Sequence, residues 1–270
     1  MNPAVRPPAV AGAFYPGDPA ELAADVESLL ADAPPQAAPR QPKAIIAPHA
    51  GYIYSGSTAA DAYALLAPWR DAIRRVVLLG PTHRVPVRGL AASSADFFAT
   101  PLGRIPIDRA ALASLADLPQ VAVSDQAHAW EHSLEVHLPF LQTVLGDFSL
   151  LPLAVGNATP GEVAQVLDRL WGGPETLFVI SSDLSHYLGY ATACQTDRAT
   201  CDRILQLDPH IDPHQACGAY PINGLLVAAR RHGLQPEMIH LCNSGDTAGD
   251  KSRVVGYAAI AFYDKDGKDA

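Results

Sequence analysis

The sequence has few features that would cross-link a protein through disulfides, anchor it in a membrane or give it a high density of charge. Its four cysteines form no CxxC pair, and no apolar run approaches the roughly 18 residues that a membrane span needs. The opening stretch, MNPAVRPPAVAGAFYPGD, has neither the basic nor the apolar region of a secretory signal. Only 17% of the residues are charged, and 19 basic against 28 acidic residues give a formal net charge of −9.

These absences exclude several classes of protein. An acidic surface repels phosphate backbones and anionic lipids, so we expect no nucleic acid and no membrane among the partners. A chain without disulfide staples or a leader is typical of the cytoplasm. The low charged fraction leaves room for an apolar face that could form a homo-oligomer.

What is present is a long alternation of short apolar runs and helical patterns. With 270 residues, of which 49% are hydrophobic, the chain can bury a large core. Strands are predicted over residues 43–49, 74–83, 148–156, 175–186, 238–246 and 253–264. Helices are predicted over residues 19–30, 57–66, 110–115, 131–145, 160–170, 191–207 and 214–231.

This alternation predicts an α/β fold in a single domain over residues 1–270. We expect a central mixed, largely parallel sheet with helices on both faces. Residues 97–107 resemble a hairpin, which is the reason for expecting a mixed sheet. Residues 33–42 are rich in proline, so the N-terminal segment 1–42 is predicted to end in an extended crossover and to pack on the domain.

Polar residues follow four of the predicted strands. His49 and His83 end two of them, Asp183 and His186 follow a third, and Cys242 follows a fourth. Ligands of open α/β sheets bind at the carboxyl ends of the strands, so these side chains are expected to converge. Two imidazoles and one anionic group, either Cys242 or a carboxylate, would form a three-ligand metal site with open positions. Asp183 could orient His186 as an acid or base, or cap the following helix.

Two further stretches carry polar groups of possible use in a pocket. Tyr54 lies in the glycine-containing segment after His49 and is predicted to line the pocket or to pack in the core. Residues 128–132 spell HxxEH, the inverted zinc-protease pattern, on a predicted helix. Such short patterns arise by chance, so Glu131 and His132 are predicted at the edge of a substrate pocket in preference to a peptidase site. The i,i+4 pair Glu131 and Glu135 would be costly without a nearby cation.

Seven phrases of the sequence resemble the Memo family, called AmmeMemoRadiSam system protein B in microbes. They follow one another from residue 10 to residue 262: VAGAFYPGD, APHAGYIYSG, LLGPTH, EHSLEVHLPFLQ, SSDLSHY, CNSGD and VVGYAAIAF. The resemblance implies a fold similar to class III extradiol dioxygenases, which are non-haem iron enzymes. It also implies metal ligands at His49, His83 and Cys242, with Asp183 and His186 as catalytic pocket residues. Cys242 would replace a carboxylate, which puts ring cleavage in doubt.

Together these observations favour a metal-dependent oxidoreductase acting on a small molecule or peptide. Iron(II) is the favoured redox metal, with copper or zinc as alternatives. Two other functions stay open: a binding protein for phosphotyrosine-type peptides, which the resemblance suggests, and a zinc hydrolase using HxxEH. The microbial family name also implies a functional association with radical-SAM and AMMECR-like proteins.

Overall fold

The computed structural model describes residues 3–35 and 40–265. The strands are β1 (Val5–Arg6), β2 (Ala44–Ala47), β3 (Arg75–Pro81), β4 (Leu90–Ala92), β5 (Phe97–Thr100), β6 (Gly103–Pro106), β7 (Val121–Val123), β8 (Ser149–Val155), β9 (Thr176–Ser181), β10 (His186–Leu188), β11 (Leu234–Asn243) and β12 (Val254–Asp264). The helices are α1 (Pro19–Ala31), α2 (Tyr52–Ala64), α3 (Arg109–Ala113), α4 (Asp125–Ala129), α5 (Leu138–Val144), α6 (Pro160–Leu170), α7 (Tyr190–Leu205) and α8 (Ala219–His232). Short 3₁₀ segments occupy Ala67–Trp69, Glu135–His137 and Ser244–Asp246.

A mixed sheet of nine strands forms the centre of the described chain. Its order is β10-β12-β2-β9-β3-β8-β4-β7, with β11 along the other edge of β12. Strands β2, β9, β3 and β8 are parallel neighbours, whereas β12 runs antiparallel to β2, β10 and β11. The mixed α/β fold and all six predicted strands are therefore confirmed.

Helices cover both faces of this sheet, as the sequence predicts. Side chains alternate along a strand, so Ile45 packs with α1, α2 and α5 while its neighbour Ile46 packs with α6, α7 and α8. Both isoleucines are almost completely buried. The central strands are apolar on both faces because helices cover both faces.

The hairpin at residues 97–107 is confirmed, but it does not make the central sheet mixed. Strands β5 and β6 pair with each other and with β1 in a separate three-stranded sheet. The antiparallel pairs of the central sheet come instead from β12 and from β4 against β8.

The helix predicted over residues 131–145 is wrong in its first half. Helix α4 ends at Ala129, and α5 begins only at Leu138, after the 3₁₀ segment Glu135–His137. Glu131 and Glu135 are both buried and bind groups from other parts of the chain, which a regular exposed helix face would not allow. Two other helices begin away from the predicted residue: α2 at Tyr52 and α8 at Ala219.

The N-terminal segment is tied to the rest of the fold by pairing and packing. Strand β1 pairs with β5, and α1 packs against α2 and α5. Asp18 caps α1 by accepting hydrogen bonds from Ala20 N at 2.9 Å and Glu21 N at 3.0 Å. Of the proline-rich crossover predicted at 33–42, residues 36–39 lie outside the described residues. Among the helices described, none combines the length and apolar character that a bilayer crossing requires.

Candidate metal centre

Three parallel strands end at the same edge of the sheet and deliver polar residues there. His49 follows β2, His83 follows β3 and Asp183 follows β9, and these strands are adjacent in the sheet. The rings of His49 and His83 lie with centroids 5.2 Å apart, at the carboxyl end of the sheet. The structure therefore brings these two imidazoles together where ligands of α/β sheets bind.

A third imidazole completes the cluster and comes from the loop after α4. The His132 ring centroid lies 5.4 Å from that of His49 and 4.7 Å from that of His83. One nitrogen from each ring lies within 4.8 Å of the other two, close enough to share a metal ion. We call His49, His83 and His132 the three-imidazole group. His49 is buried while His83 reaches the surface, so the group is closed on one side and open on the other.

The hydrogen bonds of His49 determine which of its nitrogens is free. The Ser181 hydroxyl donates its proton to the Ser133 carbonyl oxygen at 2.6 Å. It therefore accepts from His49 Nδ1, which lies 2.6 Å from Ser181 Oγ. With the proton on Nδ1, the Nε2 lone pair of His49 is available to a ligand.

Glu131 fixes His83 in the same way. Its carboxylate accepts from His83 Nδ1 at 2.9 Å and from the His83 backbone N–H at 2.5 Å. Burial alone would raise the pKa of Glu131, but the hydrogen bonds and charge of His83 lower it to about 2. The carboxylate is therefore ionised and can only accept hydrogen bonds. Because His83 points Nδ1 to it, Nε2 is the ring nitrogen that remains for a metal. A carboxylate behind a ligating histidine is the usual second partner of such a ligand.

Burial keeps two imidazoles of the group, those of His49 and His132, neutral. Burial, together with the neighbouring histidines, lowers the pKa of His49 well below its usual value. Burial likewise lowers the pKa of His132 to about 4. Neutral imidazole is the form that binds metals. Three imidazole nitrogens suit zinc, copper or iron better than magnesium or calcium, which prefer oxygen ligands. The residues present therefore fit a first-row transition metal.

Asp183 and His186 lie beside this group, but the carboxylate does not orient the imidazole through a hydrogen bond. Asp183 Oδ1 accepts from the His49 backbone N–H at 2.8 Å, and burial raises the pKa of Asp183. His186 is exposed, and its Nδ1 donates to the Leu184 carbonyl oxygen at 2.8 Å.

Cys242 is not among the residues whose ligand atoms lie within 4.8 Å of one another in the three-imidazole group. Strand β12 lies between β2 and β11, and Cys242 is opposite Tyr257 of β12. One strand therefore lies between β2, which precedes His49, and β11, which carries Cys242. Cys242 Sγ instead contacts Thr58 Oγ1 at 3.1 Å, and its role as a metal ligand stays a prediction.

A different thiol lies against the group. Cys217 Sγ is 3.4 Å from His49 Nε2 and accepts from the Asp183 backbone N–H at 3.3 Å. Burial raises the pKa of this thiol. Sequence reasoning missed Cys217 because it precedes α8 and follows no strand. It also missed His132 as a member of the group, although it placed that residue at the pocket edge.

Gly218, next to Cys217, lies so close to Ser181 and Ser182 that a side chain has no room there. A Cβ on Gly218 would lie 2.5 Å from the Ser181 carbonyl oxygen and 2.6 Å from Ser182 Cβ. We therefore expect Gly218→Ala to lower the free energy of unfolding by about 1–3 kcal/mol, measured by urea denaturation. Gly161→Ala is the matched control, because a Cβ there meets nothing within 4 Å. Equal stability of the two variants would contradict the prediction.

The remaining predicted residues have clear positions. Tyr54 is 40% exposed at the start of α2, and its carbonyl oxygen accepts from Thr247 Oγ1 at 2.9 Å. His128 is buried, and its Nε2 contacts the Ala91 carbonyl oxygen at 2.9 Å, away from the three-imidazole group. Because α4 ends at Ala129, the HxxEH residues do not share one helix as the inverted zinc-protease pattern requires.

Comparisons with known proteins agree over nearly the whole chain. A family model described as Memo-like protein matches residues 6–261. A MEMO1 family protein of Sulfolobus acidocaldarius is 33% identical, with 96% of this chain and all of the relative covered. One from Aeropyrum pernix is 38% identical, with 95% and 99% covered. Among solved structures, uncharacterized protein JW3007 from Escherichia coli K12 is similar in fold, with a TM-score of 0.51 and 13% identity over 82% of this chain and 99% of that one.

Proposed function

The chain belongs to the Memo-like protein family, and from its three-imidazole group we propose that it is a metal-dependent oxidoreductase. The observation that carries the proposal is the pair of Nδ1 hydrogen bonds of His49 and His83, which make Nε2 the ring nitrogen that could bind a metal. Three protein ligands leave coordination positions for substrate and oxygen. Iron(II) is the metal we favour, with a small molecule or peptide as the substrate.

The chain's own residues have separate tasks in this proposal. A bound iron(II) would supply one-electron chemistry and a Lewis acid. His49, His83 and His132 would hold the ion, with Ser181 and Glu131 keeping two of the rings in place. His186, which is exposed, would take a proton from the substrate at the open side.

Metal binding by ligand variants tests the site. We expect the protein, purified without oxygen, to bind one equivalent of zinc or iron(II), measured by competition with a chromophoric chelator. His132→Ala should lose this binding because one of three nitrogens is removed. The matched control is His214→Ala, since His214 is exposed and not a member of the group.

A Cys242→Ala variant decides between the two ligand sets. If His49, His83 and His132 form the site, Cys242→Ala should bind metal as the wild type does. Loss of binding in Cys242→Ala together with normal binding in His132→Ala would overturn the three-imidazole assignment. Thermal unfolding of each metal-free variant verifies that the protein is folded.

Oxygen uptake tests the reaction class separately. The iron(II)-loaded protein should consume oxygen with a member of a panel of catechols and thiols. His186→Gln should retain iron but lose this turnover. Iron bound at full stoichiometry with no uptake across the panel would exclude the oxidoreductase while leaving the metal site intact.

A further inference from the structure

Helix α7 places a buried carboxylate against the segment that carries His186. Asp197 lies in the middle of α7, and only 2% of its surface is exposed. Its Oδ1 accepts a hydrogen bond from the Ser185 backbone N–H at 2.9 Å. A residue in the middle of a helix does not cap its own helix, so this carboxylate binds the segment that precedes α7.

Strand β12 holds the same segment through its backbone. The Gly256 N–H donates to the Ser185 carbonyl oxygen at 2.9 Å, and the Leu184 N–H donates to the Gly256 carbonyl oxygen at 2.8 Å. His186 then pairs with Val255 of β12. The N–H of Ser185 is therefore held by α7, and its carbonyl group is held by β12.

Gly256 leaves the space that the Asp197 carboxylate occupies. A Cβ at position 256 would lie 2.0 Å from Asp197 Oδ2 and 2.5 Å from Asp197 Cγ. Both distances are far shorter than a van der Waals contact, so a larger residue would displace the carboxylate. A glycine in the interior of a strand often marks a place where another group approaches closely.

The same segment fixes the His186 ring. The Leu184 carbonyl oxygen accepts from His186 Nδ1 at 2.8 Å, and a carbonyl can only accept, so Nδ1 carries a proton. The N–H of Leu184 is itself bound to Gly256. Hydrogen bonds therefore connect Asp197 to the imidazole through the backbone of residues 184–185.

The backbone next to His186 is strained. Tyr187 has a φ of 61°, in the left-handed region that bulky residues rarely adopt. The register of β10 against β12 also shifts between His186 and Leu188. Such strain persists only where the surroundings impose it, and it is concentrated at active sites. The contacts of Asp197 and Gly256 with the adjoining segment supply that support.

We propose that Asp197 is a positioning residue for His186, holding residues 184–186 so that the imidazole stays at the open side of the three-imidazole group. The proposal rests on the proposed function, in which His186 takes a proton from the substrate. Asp197 does not touch the substrate and acts through the Ser185 N–H. Its replacement should therefore move the His186 ring without removing any metal ligand.

The tautomer of His186 reports its position. Two-bond ¹H–¹⁵N NMR spectra of the full, metal-free chain, labelled with ¹⁵N-histidine, distinguish rings with the proton on Nδ1 from rings with the proton on Nε2. The signal missing from His186→Gln identifies His186. At a pH where the ring is neutral, we expect the Nδ1–H form in the wild type. The Nε2–H form, which a free imidazole side chain favours, would show that the bond to Leu184 is absent and would overturn the proposal.

Variants of Asp197 test the link to that signal. Asp197→Ala should convert His186 to the Nε2–H form, whereas Asp197→Asn should keep the Nδ1–H form because its side-chain oxygen still accepts from Ser185. Asp197→Leu fills the buried space without an acceptor, so it replaces Asp197→Ala if the alanine variant does not fold. Asp202→Ala is the matched control, since Asp202 is exposed on the same helix.

Two outcomes of these spectra would contradict the proposal. An unchanged His186 signal in folded Asp197→Ala or Asp197→Leu would leave Asp197 a purely structural role. Conversion to the Nε2–H form in Asp197→Asn would show that the acceptor for Ser185 does not position the ring. Thermal unfolding of each variant verifies that it is folded.

Oxygen uptake separates this proposal from the proposed function. With iron(II) bound at full stoichiometry, Asp197→Ala should lower turnover by about 10–100-fold, because a displacement of about 1 Å can cost that much. Asp197→Asn should restore most of the turnover. Full turnover in Asp197→Ala despite a converted His186 would overturn the positioning role. No uptake by the wild type would refute the oxidoreductase, while the tautomer of His186 would still decide whether Asp197 positions it.

Discussion

Replacing Glu135 with alanine should lower the free energy of unfolding by about 3–5 kcal/mol, because it leaves a buried charge without a partner. The Arg6 guanidinium pairs with Glu135, and both side chains are almost completely buried. The Glu135 carboxylate also accepts from Ala9 N at 2.7 Å, Val10 N at 3.0 Å and the Tyr15 hydroxyl at 2.6 Å. Its loss therefore leaves four donors without this acceptor: the Arg6 guanidinium, the two backbone N–H groups and the Tyr15 hydroxyl.

The same substitution should disturb the metal centre. Arg6 donates to the His128 carbonyl oxygen at 3.0 Å and to the Glu131 carbonyl oxygen at 2.7 Å. It therefore ties the N-terminal segment to the loop that carries Glu131 and His132. The Glu135 carboxylate pairs with Arg6 and the Glu131 carboxylate binds His83, so the two carboxylates have separate partners.

Guanidinium denaturation followed by circular dichroism measures this loss. Glu27→Ala is the matched control, because Glu27 is exposed on α1 and should change stability by no more than about 0.5 kcal/mol. The Arg6→Ala, Glu135→Ala double variant should lose less than the sum of the single losses, since the two residues share one interaction. A loss below about 1 kcal/mol for Glu135→Ala would show that the pair contributes little.

Residues at strand ends were the predictable part of the site. Apolar runs before His49, His83 and Asp183 indicate buried strands, and buried neighbouring strands are parallel in α/β folds. Their polar ends must then meet at one edge, which the structure confirms for the two histidines. Only the order of the strands was missing, and this order depends on long-range pairing that periodicity does not encode.

Strand order also explains why Cys242 was expected among the ligands. Strand β11 ends at the same edge as β2, so its terminal residues look equivalent in the sequence. Strand β12 lies between β2 and β11, which nothing local to the MIHLCNSGD segment reveals, and Cys242 as a metal ligand stays a prediction. His132 presents the opposite case, because its side chain is in the group although no strand precedes it.

An apolar pattern predicts a helix where the structure has the loop that carries His132. Leu134, Leu138 and Leu141 are spaced as on a helix, and all three are buried. Tertiary contacts override that pattern: Glu131 turns inward to His83, and Glu135 turns inward to Arg6. A sequence pattern cannot show partners that lie 48 and 129 residues away.

Glu131→Gln should weaken metal binding by about 10–100-fold while the three imidazoles remain, because partners behind metal ligands contribute that much to affinity. Glu131 Oε1 accepts from His83 Nδ1 at 2.9 Å and lies 3.4 Å from His132 Nδ1. A glutamine keeps the shape but places an N–H₂ donor where one of the carboxylate oxygens now accepts. His83 then loses the interaction that fixes its proton on Nδ1, and Nε2 is no longer reserved for the ion.

The affinity of zinc, measured by chelator competition, checks this expectation. Glu237→Gln removes the same charge from an exposed side chain of β11 and should leave the affinity unchanged. His83→Ala removes a ligand outright, so its loss should exceed that of Glu131→Gln. If Glu131→Gln bound zinc as tightly as the wild type, the carboxylate would not orient a ligand. That result would separate the buried Glu131 from metal binding and leave it only a structural role in the loop.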